Sequence, residues 1–302
     1  MGNITRRDML GRSSLLMASM GTGLPLTAAN PEPAEAARKL KIVVVGGHPD
    51  DPESGCGGTI AHYAGEGHEV VIVYLTRGES GIKGKTMQEA AAIRSAEAGK
   101  ACEILHARPI FAGQIDGHTE LNPSLYEAFR KILDVENPDV VFTHWPIDTH
   151  RDHRVASLLT YDAWLTGGKK FDLYYFEVEQ GEQTQIFQPT HYVDISTTLS
   201  RKQAACFAHA SQHPETDFWP QHEAMNRFRG MECGVKNAEG FVGTARTTEW
   251  TLRRGDKGAA KTYLDRCRPI AALWGLHGVD CPTVQHYPFC GLVTRSLSRK
   301  GW

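Results

Sequence analysis

One imidazole and two carboxylates follow a buried-looking strand near the start of the chain. The run Val43-Val44-Val45-Gly46-Gly47 is apolar and β-branched and ends in two glycines, which indicates a central strand that opens onto a loop. His48-Pro49-Asp50-Asp51 comes directly after this run. His48 and Asp51 offer a nitrogen and an oxygen donor, a mixture that suits a metal ion of the zinc type. Asp50 lies between them and could face whatever that ion holds.

A second cluster of polar residues follows a later predicted strand, Asp139 to Thr143, in the sequence Thr143-His144-Trp145-Pro146-Ile147-Asp148-Thr149-His150-Arg151-Asp152-His153. The carboxyl ends of strands in an open α/β sheet share one edge, so this cluster should meet the first one there. His150 and His153 have i,i+3 spacing at a helix start and would share a face. One of them could complete a metal site with an open fourth position, and the other could handle protons or stabilise charge.

Predicted strands and helices alternate four times between Lys39 and Glu177. This alternation predicts an α/β domain with a mostly parallel sheet, right-handed crossovers and helices on both faces. The first helix is predicted over Cys56 to Gly67, which has helical apolar spacing and glycines suited to a C-cap. From about Gln180 the elements become shorter and more mixed, with a helical region predicted from Ser196 to Gln212.

The composition bounds the function. The chain has 302 residues and a formal net charge of −2, which gives no electrostatic case for nucleic acid or a membrane surface as partner. Its seven cysteines form no Cys-x-x-Cys pair, so neither a zinc knuckle nor a full disulfide framework is expected. A dinucleotide-binding enzyme is also disfavoured, because Gly-x-Gly-x-x-Gly is absent after the first strand and His-Pro-Asp-Asp occupies its place.

The two ends of the chain differ from the middle. Arg6-Arg7 precedes a weakly apolar stretch and small residues, which predicts that residues 1–37 are a Tat-type signal peptide and that the protein is exported to the periplasm or another extracytoplasmic space. The stretch is interrupted by glycine and proline and looks too weak for a stable membrane span. Residues 38–242 are predicted to form the catalytic domain, and residues 243–302 an irregular extension of unknown role.

The His-Pro-Asp-Asp motif together with Asp-x-His-x-Asp-His resembles the PIG-L/LmbE-like zinc-dependent de-N-acetylases, over roughly Lys39 to Val242. Members of that family hydrolyse the acetamide of N-acetylglucosamine-containing molecules on a Rossmann-like fold. The resemblance implies zinc, or another divalent ion, held by His48, Asp51 and His153. It implies Asp50 as the general base for the attacking water, and His150 as an acid or as the group that stabilises the oxyanion.

Further positions resemble family features more loosely. Arg94, on an Ala-rich helix, Asp116, in Ile115-Asp116-Gly117, and Arg77, in the loop after the second strand, are candidate substrate contacts. The sequence departs from the family at Asp148, where some members carry a tyrosine that helps hold the oxyanion. Asp148 and Asp152 could orient the histidines or cap the helix.

The expected function is removal of an acetyl group from an N-acetylated amino sugar or its conjugate, a small molecule or a glycan. The alternative is a non-catalytic module of the same fold that binds metal or sugar and has no need of Asp50. The oligomeric state is left open, a homo-oligomer included.

Overall fold

The computed structural model of the protein describes residues 38–244. These residues form a seven-stranded sheet and six α-helices, with one short 3-10 helix at Ala210–Gln212. The strands are β1 Lys41–Gly46, β2 Glu69–Tyr74, β3 Arg108–Phe111, β4 Val140–His144, β5 Asp172–Phe176, β6 His191–Asp194 and β7 Ala238–Gly243. The helices are α1 Asp51–Gly65, α2 Met87–Leu105, α3 Pro123–Glu136, α4 Arg151–Thr166, α5 Leu199–Phe207 and α6 Trp219–Cys233.

The sheet has the strand order β3-β2-β1-β4-β5-β7-β6. The first five strands in the chain pair in parallel, and β7 pairs antiparallel with both β5 and β6. The predicted mostly parallel α/β architecture is therefore confirmed. The order reverses at β1, where β2 lies on one side and β4 on the other. The loops after β1 and β4 consequently emerge side by side at the carboxyl edge, which is where open α/β sheets bind ligands.

Helices cover both faces of the sheet, which explains why β1 is apolar from Ile42 to Val45. Ile42 and Val44 pack in a cluster with α1, α2 and α5, whereas Val43 and Val45 pack in a second cluster with α3 and α4. Successive side chains of a strand point to opposite faces, so a strand covered on both sides has no position for a polar residue.

Helix α1 begins at Asp51, five residues before the predicted start at Cys56. Glycines disfavour a helix in isolation, so the glycines of this segment hide the true helix start from a prediction based on sequence. Two of them are required by packing: a Cβ on Gly55 would lie 2.4 Å from the Phe176 ring, and one on Gly58 would lie 2.5 Å from Ile195. Tertiary contact therefore selects the helix, and the motif aspartates lie at its first turn.

The predicted helical region from Ser196 to Gln212 consists of α5 and the 3-10 turn. The sequence does not predict strand β6, which precedes this region, or helix α6 and strand β7, which follow it. Strand β7 includes Gly243, the first residue of the expected extension, which pairs with Tyr174. The predicted signal peptide, residues 1–37, and residues 245–302 of the extension lie outside the described residues. Within residues 38–244 no helix is both long and apolar enough to cross a bilayer.

Candidate active site

The residues singled out after β1 and β4 converge at the carboxyl edge of the sheet, around one carboxylate oxygen. Asp51 Oδ2 lies 3.3 Å from His48 Nδ1 and 3.2 Å from His153 Nε2. The same oxygen accepts a hydrogen bond of 2.7 Å from the backbone N–H of His48. All three side chains are buried. Asp51 starts α1 and His153 lies in the first turn of α4, so two helix starts bring the three together.

The far nitrogen of His48 faces two carboxylates. His48 Nε2 lies 3.1 Å from Asp152 Oδ2 and 3.2 Å from Asp116 Oδ1. Asp152 is itself held by the Gly117 N–H at 2.8 Å and by the Thr119 hydroxyl at 2.7 Å. Burial lowers the pKa of His48, but these carboxylates and Asp51 outweigh it and raise the pKa well above the usual value. Asp152 therefore orients the His48 ring.

His153 has the same arrangement on its own far side. Its Nδ1 lies 3.2 Å from Asp148 Oδ1, and the Thr184 hydroxyl donates to the other oxygen of Asp148 at 3.1 Å. Burial lowers the pKa of His153, yet the facing charges of Asp51 and Asp148 raise it to about 9. Asp148, the position at which the sequence departs from the family, therefore sets the orientation of His153. Its Oδ1 also accepts a hydrogen bond of 2.7 Å from the backbone N–H of His150.

His144, the last residue of β4, is fully buried and stacks on His153 with ring centroids 4.0 Å apart. Its Nε2 accepts a hydrogen bond of 3.0 Å from the Gly47 N–H and lies 3.2 Å from Asp51 Oδ2. Burial, followed by the neighbouring His153, lowers the pKa of His144 to about 4. His144 is thus a neutral ring whose Nε2 lone pair is already engaged.

Asp50 is held in an uncommon backbone conformation beside this cluster. Its φ is 113°, in a region that side-chain-bearing residues rarely adopt, and its N–H donates to Glu53 Oε2 at 3.2 Å. Arg94 donates to Asp50 Oδ2 at 2.7 Å and also to the Pro49 carbonyl. Burial raises the pKa of Asp50, and Arg94 offsets only part of that effect.

Arg94 was expected to contact substrate. Arg94 is 3% exposed, and its guanidinium pairs with Asp50 instead of lying at an open surface. Orientation of Asp50 therefore replaces direct substrate contact as the role its environment indicates. The other two candidate contacts differ from each other. Asp116 is buried against His48, whereas Arg77 is exposed, with its guanidinium 5.6 Å from the centre of the Phe111 ring.

His150 caps the start of α4 from the edge of the site. Its Nδ1 accepts a hydrogen bond of 3.3 Å from the Asp152 N–H, and its ring centroid lies 4.5 Å from that of His48. Burial and the neighbouring histidines lower its pKa. Because Nδ1 is used in capping, a neutral His150 carries its proton on Nε2.

Residues 38–244 contain three overlapping groups of potential metal ligands, and the donor atoms within each group lie within 4.8 Å of one another. They are His48, His150 and His153; Asp51, His144 and His153; and His48, Asp116 and Asp152. His153 or His48 belongs to each group, so the cluster forms one centre. The chemistry of this donor set, imidazole nitrogens with carboxylate oxygens, suits a divalent ion such as zinc.

A cavity of about 220 Å³ opens beside Asp50 and Asp51. Its remaining wall comes from residues that the sequence analysis did not identify: Ser54, Val178, Glu179, Gln183, Gln212, Asp217, Phe218 and His222. Most of these follow β5 or precede α6, in the part of the chain where the predicted elements become shorter and more mixed. No local sequence motif identifies these residues, because they come from separate segments that only the tertiary fold brings together.

The chain resembles several known proteins. The family model described as PIG-L: GlcNAc-PI de-N-acetylase matches residues 43–164. The diacetylchitobiose deacetylase of Thermococcus kodakarensis is 33% identical over 221 residues, which cover 67% of this chain and 82% of that protein.

Two solved structures of similar fold are a deacetylase and a hydratase. The N,N'-diacetylchitobiose deacetylase of Pyrococcus horikoshii is 26% identical with a TM-score of 0.61, covering 70% of this chain and 88% of its own. GalB of Pseudomonas putida KT2440, a 4-carboxy-2-hydroxymuconate hydratase, is 25% identical with a TM-score of 0.62, covering 70% and 98%. The match to the Thermococcus deacetylase, which spans most of that protein, carries the assignment. The chain belongs to the PIG-L (LmbE-like) de-N-acetylase family.

Proposed function

We propose that the protein is a metal-dependent hydrolase that removes the acetyl group from an N-acetylated amino sugar of the N-acetylglucosamine type, with zinc as its ion. The observation that carries the proposal is the convergence on Asp51 Oδ2. Two imidazole nitrogens lie 3.3 and 3.2 Å from this oxygen, and the far nitrogens of both rings face carboxylates. Far-side carboxylates fix the tautomer of metal-binding histidines.

The ion would be held by His48, Asp51 and His153. His48 would bind through Nδ1 and His153 through Nε2, because Asp152 and Asp148 face their other nitrogens. His144 is the competing donor, but its Nε2 already accepts the Gly47 N–H. Three protein ligands leave positions for water and for substrate, as in catalytic zinc sites. Iron or cobalt would also fit these donors.

An amide is a poor electrophile and water a poor nucleophile. A bound divalent ion polarises the carbonyl and lowers the pKa of water from about 16 to about 7. Asp50, which lines the cavity beside Asp51, takes the second role that the reaction needs and accepts the proton of the attacking water. Its raised pKa favours uptake of that proton, and the 2.7 Å contact with Arg94 keeps the carboxylate oriented.

The proton must then reach the leaving nitrogen, and negative charge on the former carbonyl oxygen must be stabilised. We assign the second task to His150, because its Nδ1 caps α4 and leaves the Nε2–H as donor. Protonated Asp50 can deliver the proton to the amine. This division assigns proton transfer to Asp50 and charge stabilisation to His150.

The substrate class follows from the relatives named above, two of which are diacetylchitobiose deacetylases. Two other functions compete with it. A binding module would hold metal or sugar without needing Asp50. A hydratase, the activity of the structural neighbour GalB, would release no acetate.

The decisive experiment measures acetate release by the metal-loaded protein from N-acetylglucosamine, its short oligomers and their conjugates, beside an Asp50→Asn variant. Asn keeps the shape of the side chain but cannot take up the proton. We expect release by the wild type and a loss of about 100-fold or more in kcat for the variant, with unchanged metal content. Zinc bound in full with no acetate released from any compound would overturn the proposal.

We also propose export by the Tat-type signal in residues 1–37, supported by Arg6-Arg7 and the weakly apolar stretch after it. Replacement of both arginines by lysine keeps the charge and removes the twin-arginine feature. Cell fractionation should then find the variant retained in the cytoplasm and the wild type outside it. Equal distribution of the two proteins would contradict export by this route.

A further inference from the structure

Glu179 stands out on the cavity wall opposite the motif residues. It follows β5 and lines the cavity that Asp50 and Asp51 also line. One of its carboxylate oxygens, Oε2, accepts a hydrogen bond from the side-chain amide of Gln183, a second residue of the wall. Among residues 38–244 no hydrogen bond reaches the other oxygen, and no lysine or arginine lies within ion-pair distance. This carboxyl group therefore has acceptor capacity that the described fold does not use.

The backbone at Glu179 is held in an unfavourable conformation. Its φ is +41°, in the left-handed region that side-chain-bearing residues other than Asn and Asp seldom adopt. The Glu179 N–H donates to Nε2 of the buried His222 at 3.4 Å. Strain of this kind persists only where the surroundings impose it, and it concentrates at functional sites. Here the conformation places the carboxyl group on the cavity wall.

The loop that carries Glu179 is tied to the proposed metal site. The Thr184 hydroxyl donates to Asp148, which faces His153, and also accepts the Val178 N–H at 3.0 Å. The Thr149 N–H donates to the Gln183 carbonyl at 3.0 Å. Glu179 is thus positioned relative to the same aspartate that orients His153. A substrate bound through its acetamide near Asp50 would extend along this wall.

The chemistry of the wall matches a polyhydroxylated ligand. Gln212 and Asp217 add further polar groups, and Phe218 adds an apolar surface. Burial and the negative charges of Glu182, Asp51 and Asp50 raise the pKa of Glu179 to about 7, and no lysine or arginine among residues 38–244 lies within ion-pair distance to offset them. A hydroxyl group donates to a carboxyl oxygen without needing a counter-charge, and such bonds to charged groups are the stronger ones.

Resting on the proposed deacetylase activity, we propose that Glu179 is a specificity-determining residue that binds a ring hydroxyl of the sugar carrying the acetamide. It acts in substrate binding and not in the chemical step. Its removal should therefore raise KM and leave kcat nearly unchanged. The hydroxyl that it binds should be identifiable, because a substrate lacking that hydroxyl has already lost the contact.

The test compares wild type with Glu179→Asn, which tolerates the left-handed conformation but is one methylene shorter, and with Glu179→Gln, which keeps an acceptor oxygen in place. Substrates are an N-acetylglucosamine compound turned over by the wild type and its 3-, 4- and 6-deoxy analogues. Glu182→Asn is the matched control, since Glu182 is an exposed carboxylate of the same loop outside the cavity.

We expect Glu179→Asn to raise KM about 10- to 100-fold with kcat within about 3-fold, and Glu179→Gln to lose less. One deoxy analogue should bind wild type and Glu179→Asn equally. Glu182→Asn removes a neighbouring charge but no group of the cavity wall, so it should keep the wild-type ranking of the compounds. An unchanged KM in Glu179→Asn, or equal further losses for all analogues, would overturn the proposal while the deacetylase activity stood. No activity in the wild type would instead overturn the proposed function.

Discussion

The two histidines at the start of α4 should respond to substitution in opposite ways. His153 is buried, with Nε2 3.2 Å from Asp51 and Nδ1 3.2 Å from Asp148. His150 uses Nδ1 to cap α4 and directs no second nitrogen at a carboxylate among the contacts of residues 38–244. We therefore expect His153→Ala to lose bound metal, and His150→Asn to retain metal and lose rate.

The magnitudes follow from what each change removes. Loss of an outer carboxylate alone weakens metal affinity by about 10- to 100-fold, so loss of the ligand itself should exceed about 100-fold. Removal of one donor to a developing oxyanion costs about 100- to 1000-fold in kcat. Asn at position 150 keeps an acceptor for the Asp152 N–H, so the helix cap, worth about 1 kcal/mol, is preserved and the loss of rate reports the missing Nε2–H.

The assay is metal content after dialysis against a graded chelator, measured beside kcat on the best substrate of the wild type. Thermal unfolding of each metal-free variant shows whether the fold is intact, and His153→Gln provides a bulkier replacement if the alanine variant is unstable. Equal metal loss at the two positions, or metal loss in His150→Asn alone, would refute the division of roles.

Two further changes test the surroundings of the site. Arg94→Met removes the 2.7 Å contact with Asp50 and should lower kcat about 10- to 100-fold, with partial recovery in Arg94→Lys. A methionine variant as active as the wild type would show that Asp50 needs no orientation by Arg94. Burial, and then the charge of Lys202, lower the pKa of His222 from its ordinary value of 6.5 to about 3. Its neutral form therefore contributes stability that is fully present above pH 6.5 and is lost as the pH falls below that value. Wild type should therefore lose about 1 kcal/mol more unfolding free energy than His222→Gln between pH 7.5 and 5.5 in denaturant titrations, and parallel losses would contradict the buried neutral state.

The central strands and the motif residues could be predicted because their signals are local. An apolar β-branched run such as Val43 to Val45 indicates a covered strand wherever it occurs, and the carboxyl edge then follows from the parallel order. The meeting of His48 with His153 needed only that topology. Asp148 and Asp152, both candidates for orienting the histidines, face His153 and His48. The contact of Asp116 with His48 did not follow from the sequence, because Asp116 reaches the ring from a separate loop.

The unpredicted parts depend on partners remote in sequence. Strand β7 contains two glycines and Glu239, a composition untypical of a strand, but Glu239 is buried and paired with Lys202 Nζ at 2.6 Å. Likewise nothing near Arg94 in the sequence indicates that its guanidinium lies against Asp50. Glu179 itself has the left-handed backbone conformation that brings its side chain to the cavity, and no turn motif in the sequence predicts that conformation. Such positions are set by packing and pairing, which a single sequence does not display.

The position of β7 within the sheet has a consequence for biosynthesis. β7 lies between β5 and β6, and within residues 38–244 β6 has no other strand neighbour. Ala238, the first residue of β7, follows Asp194, the last of β6, by 44 positions. At a synthesis rate of about 5–20 residues per second, roughly 2 to 9 s pass before the strand that joins β6 to β5 exists. During that interval β6 and the edge of β5 lack the strand that pairs with both, so we expect the ribosome-bound chain to be more open to wrong strand pairing than the complete one.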